Sequence, residues 1–128
     1  MTVQINTVTF DCADPMRLAW FWAEVLGSEL APGSDPDGAR VRDPAGVSDG
    51  LYFQPVPEAK AVKNRVHIDL RPSGSMAAEV ARLRELGATI IERVDEEGSF
   101  WTVMQDPEGN ELCVLRGPED GWTPAPAG

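Results

Sequence analysis

At 128 residues the chain has the length of one ordinary domain, long enough to fold without metal or disulfide staples. Its 11 Lys and Arg stand against 21 Asp and Glu, a formal charge of -10, so the clustered cations that nucleic acid requires are missing. No stretch approaches the roughly 20 apolar residues of a membrane span. Met1-Thr2-Val3-Gln4 does not begin a charged-then-apolar leader, so a cytoplasmic protein is expected.

The first predicted element is a strand over 6–11, where Val8 and Phe10 alternate with polar residues. Asp14-Pro15 then reads as an N-cap with proline at the first helical position, and Gly27 sits where a left-handed C-terminal residue belongs. The helix between them is apolar nearly all round, through Leu18, Ala19, Phe21, Trp22, Val25 and Leu26. One side should meet core and the other an interface. Three short strands follow near 28–31, 38–43 and 50–56, in a region punctuated by Pro32, Gly33, Pro36, Gly38, Pro44, Gly46 and Gly50.

A second strand-helix pair begins at 66–71 and 75–86. Met76, Val80, Leu83 and Leu86 give the helix its core stripe and Gly87 ends it. Strands at 89–93, 99–105 and 110–116 complete the second half. The segment 117–128 should be a flexible tail unless Trp122 docks. Cys12 and Cys113 have no metal-type spacing and are expected to be buried, reduced thiols.

The two halves repeat. Val8 answers Ile68, Phe10 answers Leu70, Met16 answers Met76, and Leu26-Gly27 answers Leu86-Gly87. Asp43-Pro44-x-Gly46 answers Asp106-Pro107-x-Gly109, both read as hairpin turns. The unit is strand, helix, then three strands, used twice, about 3–57 and 64–116.

The run Arg65-Val66-His67-Ile68-Asp69-Leu70 and the segment Phe100-Trp101-Thr102-Val103-Met104-Gln105-Asp106-Pro107-Glu108-Gly109-Asn110-Glu111-Leu112-Cys113-Val114 resemble the glyoxalase/bleomycin-resistance/extradiol-dioxygenase family, the vicinal oxygen chelate superfamily. Asp11-Cys12-Ala13-Asp14-Pro15 and Leu51-Tyr52-Phe53-Gln54-Pro55 carry the resemblance in the first half. It implies an α+β fold in which two βαβββ modules form a curled mixed sheet around a cavity, with helices outside. It also implies a small organic molecule as ligand, and homodimerisation.

Strand parity then assigns the inner face. With Val8, Phe10, Ile68 and Leu70 toward the helices, Thr7, Thr9, Asp11, His67, Asp69 and Arg71 face the other way. Tyr52, Gln54, Glu111, Cys113 and Leu115 join them by the same rule, a lining rich in ionisable groups and suited to a pocket. Trp101 is either core or a stacking surface for a planar ligand.

The resemblance places metal ligands on the first and last strand of each module. On that basis His67 and Glu111 occupy two points and Gln54 is the best donor for a third. Thr7, a poor ligand, replaces the fourth. The cofactor implied is a divalent zinc, nickel, manganese or iron ion, or none. Two classes remain open. One is a lyase or isomerase with an atypical ligand set, or a metal-free variant with His67 or Glu111 as general base. The other is a metal-free protein that sequesters a small toxic compound. Classical glyoxalase I chemistry is disfavoured by the changed ligands, and extradiol ring cleavage by the single histidine.

Overall fold

The computed structural model describes residues 2–45 and 49–125. The chain divides into two compact units, Met1–Ala61 and Val62–Gly128. In the first, strand β1 (Val8–Cys12) leads into helix α1 (Pro15–Leu26), then β2 (Ala39–Val41) and β3 (Leu51–Pro55). In the second, β4 (Ile68–Leu70) and helix α2 (Met76–Leu86) precede β5 (Thr89–Glu96), β6 (Ser99–Gln105) and β7 (Glu111–Leu115). The sheets are mixed: β1-β3-β2 in one unit and β4-β7-β6-β5 in the other, with β1–β3 and β4–β7 parallel. They are not closed into a barrel.

One expected strand is reduced. Of the stretch 28–31, only Leu30 is paired, in a single bridge to Val41. Pro32 and Gly33 follow at once, and proline has no N–H with which to extend a ladder. In the second unit the corresponding strand is longer than expected, running on to Glu96, with a bulge at Ile91.

Helix α1 is capped as its sequence predicts. Asp14 accepts the backbone N–H of Arg17 at 3.2 Å, Pro15 opens the helix, and Gly27 closes it at φ 61°. The helix buries Leu18, Ala19, Phe21, Trp22 and Ala23. Trp22 meets Phe10 of β1 at 5.4 Å between ring centroids, and Phe10 meets Phe53 of β3 at 5.1 Å. Trp20 points away from this core, half-exposed beneath the Arg17 guanidinium. Gly50 is required where β3 begins, because at φ 86° an added Cβ would run into the Val41 carbonyl oxygen.

In the second unit α2 covers one face of its sheet. Met104, Leu112 and Val114 are fully buried there, and buried Thr102 approaches the Met76 sulfur at 3.5 Å. The Asp106 carboxylate holds the β6–β7 turn, accepting the backbone N–H groups of Glu108 and Asn110 at 2.9 and 3.0 Å. Its first-half counterpart holds a similar turn, Asp43 accepting from Ala45 N–H at 2.9 Å, although Gly46 lies outside the described residues.

Trp122 does dock. Its ring lies 4.1 Å from the Arg71 guanidinium, and Pro118–Asp120 form a short 3-10 turn. The Asp120 carboxylate accepts the N–H groups of Met76 (2.7 Å) and Gly117 (2.9 Å), which places a negative charge at the start of α2. These two hydrogen bonds hold the Asp120 carboxyl below the usual carboxylate value. A depressed pKa means the stabilisation is present above the unfolded value and is lost as pH falls through the folded one. Asp120→Asn is therefore expected to lower the unfolding temperature at neutral pH. The gap from the parent should close in acid below the ordinary carboxylate range, as thermal unfolding followed by circular dichroism would record.

Candidate functional site

The face of the second sheet opposite α2 carries a pocket, and its contents follow from register. Beta-strand β4 runs parallel to β7 with Asp69 beside Cys113, so the two side chains share one face. His67, two residues before Asp69, shares that face as well. On the next strand Val103 pairs with Cys113, and Trp101 with Leu115. On the edge strand Glu92 pairs with Val103, and Val94 with Trp101. These side chains, with Lys63, Glu96 and Glu111, line a pocket of about 490 Å³.

At one end of it His67, Asp69 and Cys113 form a connected group. His67 Nδ1 lies 2.9 Å from Asp69 Oδ1 and 3.9 Å from the Cys113 sulfur. An ionised carboxylate only accepts, so the Nδ1 atom carries the proton of this hydrogen bond and Nε2 is the basic nitrogen of the ring. Burial pushes the Cys113 thiol up to about 11, helped by the Asp69 charge and a hydrogen bond to Asp69, while Lys63 opposes the rise. Cys113 is accordingly a protonated thiol at neutral pH. Its alkylation by iodoacetamide in chelator-treated protein should be about a hundredfold slower at pH 7.5 than that of a free cysteine. The rate should still be climbing above pH 9, and a plateau near pH 8, read by mass spectrometry of its peptide, would contradict the assignment.

Glu111 lines the same pocket, but its carboxylate accepts the Asn64 backbone N–H at 3.0 Å. Asn64 also donates its side-chain amide to Asn110 at 3.0 Å. Glu111 thus fastens the segment entering β4. Among the described residues the group of potential metal donors is His67, Asp69 and Cys113, whose ligand atoms lie within 4.8 Å of one another. One nitrogen, one oxygen and one sulfur match the donor count of an open catalytic centre. Two ligands on a tetrahedral ion stand roughly 3.4 Å apart. Admitting a metal would therefore part His67 from Asp69 and displace the Cys113 proton.

The other residues singled out in the sequence have local partners of their own. Thr7, Tyr52 and Gln54 belong to the first unit. There the Gln54 amide donates to Asp11 at 2.7 Å, Thr7 meets the Thr9 hydroxyl at 3.3 Å, and Tyr52 lies under the Arg40 guanidinium. Arg71 donates to the Arg116 carbonyl at 2.7 Å while covering Trp122. Sequence reasoning missed Glu92, Val94 and Glu96. Their alternation was a usable signal, but the expected strand ended at residue 93.

The family profile described as glyoxalase-like domain matches residues 7–115. Among solved structures the chain is similar to a glyoxalase/bleomycin resistance protein/dioxygenase family enzyme from Burkholderia phytofirmans PsJN (17% identity, 88% of this chain and 97% of that one, TM-score 0.70). It is also similar to a mutant of the fosfomycin resistance protein FosX from Listeria monocytogenes complexed with Mn(II) and 1S,2S-dihydroxypropylphosphonic acid (14% identity, 91% and 92%, TM-score 0.72). At these identities the likeness is one of fold, and among curated proteins no relative matches. By its profile match and its paired strand-helix-strand units, the chain belongs to the glyoxalase-like domain family of the vicinal oxygen chelate superfamily.

Proposed function

We propose that the protein binds a small organic molecule in the second unit's pocket and that His67 removes a proton from it, a lyase- or isomerase-type reaction. The observation that carries this reading is the hydrogen bond from His67 Nδ1 to Asp69 at the pocket's end. That bond fixes one tautomer, leaves Nε2 able to accept a proton, and stabilises the imidazolium that results. Trp101, Val94, Val103 and Leu115 supply the apolar surface against which a carbon skeleton can rest.

A second reading has its own observation, the three donor atoms within 4.8 Å. His67, Asp69 and Cys113 would hold a divalent ion, and an imidazole with a thiolate suits zinc better than manganese. Such an ion would supply Lewis-acid polarisation of a ligand oxygen. Cobalt(II) added to metal-free protein distinguishes the two. A sulfur-to-cobalt absorption band that Cys113→Ser removes supports the metal centre, and its absence at stoichiometric cobalt contradicts it.

Proton abstraction is tested by wash-in of solvent deuterium at the carbon-bound protons of hydroxyacetone and dihydroxyacetone, followed by proton NMR. Exchange above the uncatalysed rate that disappears in His67→Ala supports the reading. Binding of these compounds without exchange favours sequestration instead.

A further inference from the structure

We propose that the groove between α2 and β5, on the other face of the second sheet, binds an unbranched aliphatic carboxylate. The acid group sits between Arg93 and Thr102, and the chain lies along Ala77, Ala81 and Ile90. The inference does not depend on the chemistry assigned to His67. The groove follows from the sequence. On α2, Ala77, Val80, Ala81 and Arg84 fall at spacings of three and four, one stripe of the helix surface. Ile90 pairs with Met104 and Arg93 with Thr102, and both partners are buried under α2, so Ile90 and Arg93 face the helix too. Two alanines one turn apart are too small to cover the edge strand, and Ile90 is left 47% exposed. The result is a hollow of about 330 Å³ floored by Met76, Val80 and Thr102.

The second observation is charge. In a chain with 21 acidic residues against 11 Lys and Arg, this lining has two guanidinium groups and no carboxylate. Among the described residues neither Arg84 nor Arg93 is in an ion pair. Asp120, at the start of α2, is bound instead to the N–H groups of Met76 and Gly117. Arg93 rests over the Phe100 ring at 4.8 Å, which steadies the side chain. Beside it Thr102 is 5% exposed, and its hydroxyl meets the Met76 sulfur at 3.5 Å, a weak acceptor. A guanidinium next to a buried hydroxyl with so poor a partner suits the two oxygens of a carboxylate. Arg84 stands in the last turn of α2, where exposed helix carbonyls disfavour an anion, so the acid group belongs at the Arg93 end.

Octanoate, 1-octanol and octyltrimethylammonium share a chain and differ in charge. Each is titrated into full-length protein at pH 7.5 by amide NMR, with Ala77, Ala81 and Ile90 reporting the groove and His67 and Cys113 the opposite face. Octanoate is expected to bind about tenfold tighter than 1-octanol, and the cation more weakly than either. The chain's charge of -10 repels anions at long range, so this preference reports the local guanidinium. Hexanoate should bind about fourfold more weakly than octanoate, as two half-covered methylenes imply. R93Q should bring octanoate down to the affinity of 1-octanol and leave 1-octanol unchanged, and T102V should weaken octanoate alone. A81F, which fills the groove, should weaken both. Arg93 and Ala81 are exposed, so these two variants should unfold within a few degrees of the parent. Equal affinity for octanoate and 1-octanol, or a preference that survives R93Q, overturns the placement of the acid group. Shifts confined to His67 and Cys113, or no binding of octanoate, overturn the site itself.

Discussion

His67→Gln is expected to slow deuterium wash-in by 10²- to 10⁴-fold, on the order of what a positioned general base contributes. Glutamine matches much of the ring's reach and can still donate toward Asp69, but no basic nitrogen remains to accept a proton. Asp69→Asn tests the same assignment from the other side of the 2.9 Å hydrogen bond. Asparagine can present a donor where the carboxylate accepted, so the ring loses both its preferred tautomer and the charge that stabilises an imidazolium. The loss should approach that of His67→Gln while the protein unfolds at nearly the parent temperature, because both side chains are about half-exposed. Activity that persists at the parent rate in both variants would remove His67 from the chemistry.

Trp22→Ala is expected to destabilise the protein by about 4 kcal/mol, the cost typical of truncating a large buried aromatic. Trp22 is 1% exposed, and it joins α1 to the sheet through Phe10, with Phe21 edge-on at 5.6 Å. Removing the indole leaves a cavity that Phe10 and Phe53 cannot close without leaving their own rotamers. For a chain of this length the unfolding midpoint should fall by roughly 15 °C. Trp20→Ala, on the exposed side of the same helix, should move it by no more than a few degrees. A similar loss in the two variants, measured by calorimetry, would mean that the core has been drawn on the wrong face of α1.

The sequence carried the fold because its signals were redundant. Asp14-Pro15 and Gly27 bound α1, Ser75 and Gly87 bound α2, and the alternation in β1, β3 and β7 orients each strand with no further information. The repeat turned these local signals into an architecture. Leu30 was harder to read, since one bridge residue beside Pro32 has the composition of a strand without its length. The site was legible in part. Parity placed His67, Asp69, Glu111 and Cys113 on one face, but parity cannot tell which of them touch. That depends on register between β4 and β7, which sets Asp69 beside Cys113, and on Asn64, whose N–H engages the Glu111 carboxylate. Neither is encoded within one strand. Glu96 was hidden for a related reason: the bulge at Ile91 breaks the alternation near the point where the expected strand ended.

The chain contains a single histidine, so a long-range proton–nitrogen correlation spectrum of labelled protein reports on one imidazole alone. At a pH where that ring is neutral, the proton should reside on the nitrogen nearest the β-carbon, and Asp69→Asn should transfer the preference to the other. A ring protonated chiefly on its distal nitrogen in the parent would leave no basic atom free for a bound molecule, and the assigned chemistry would fall.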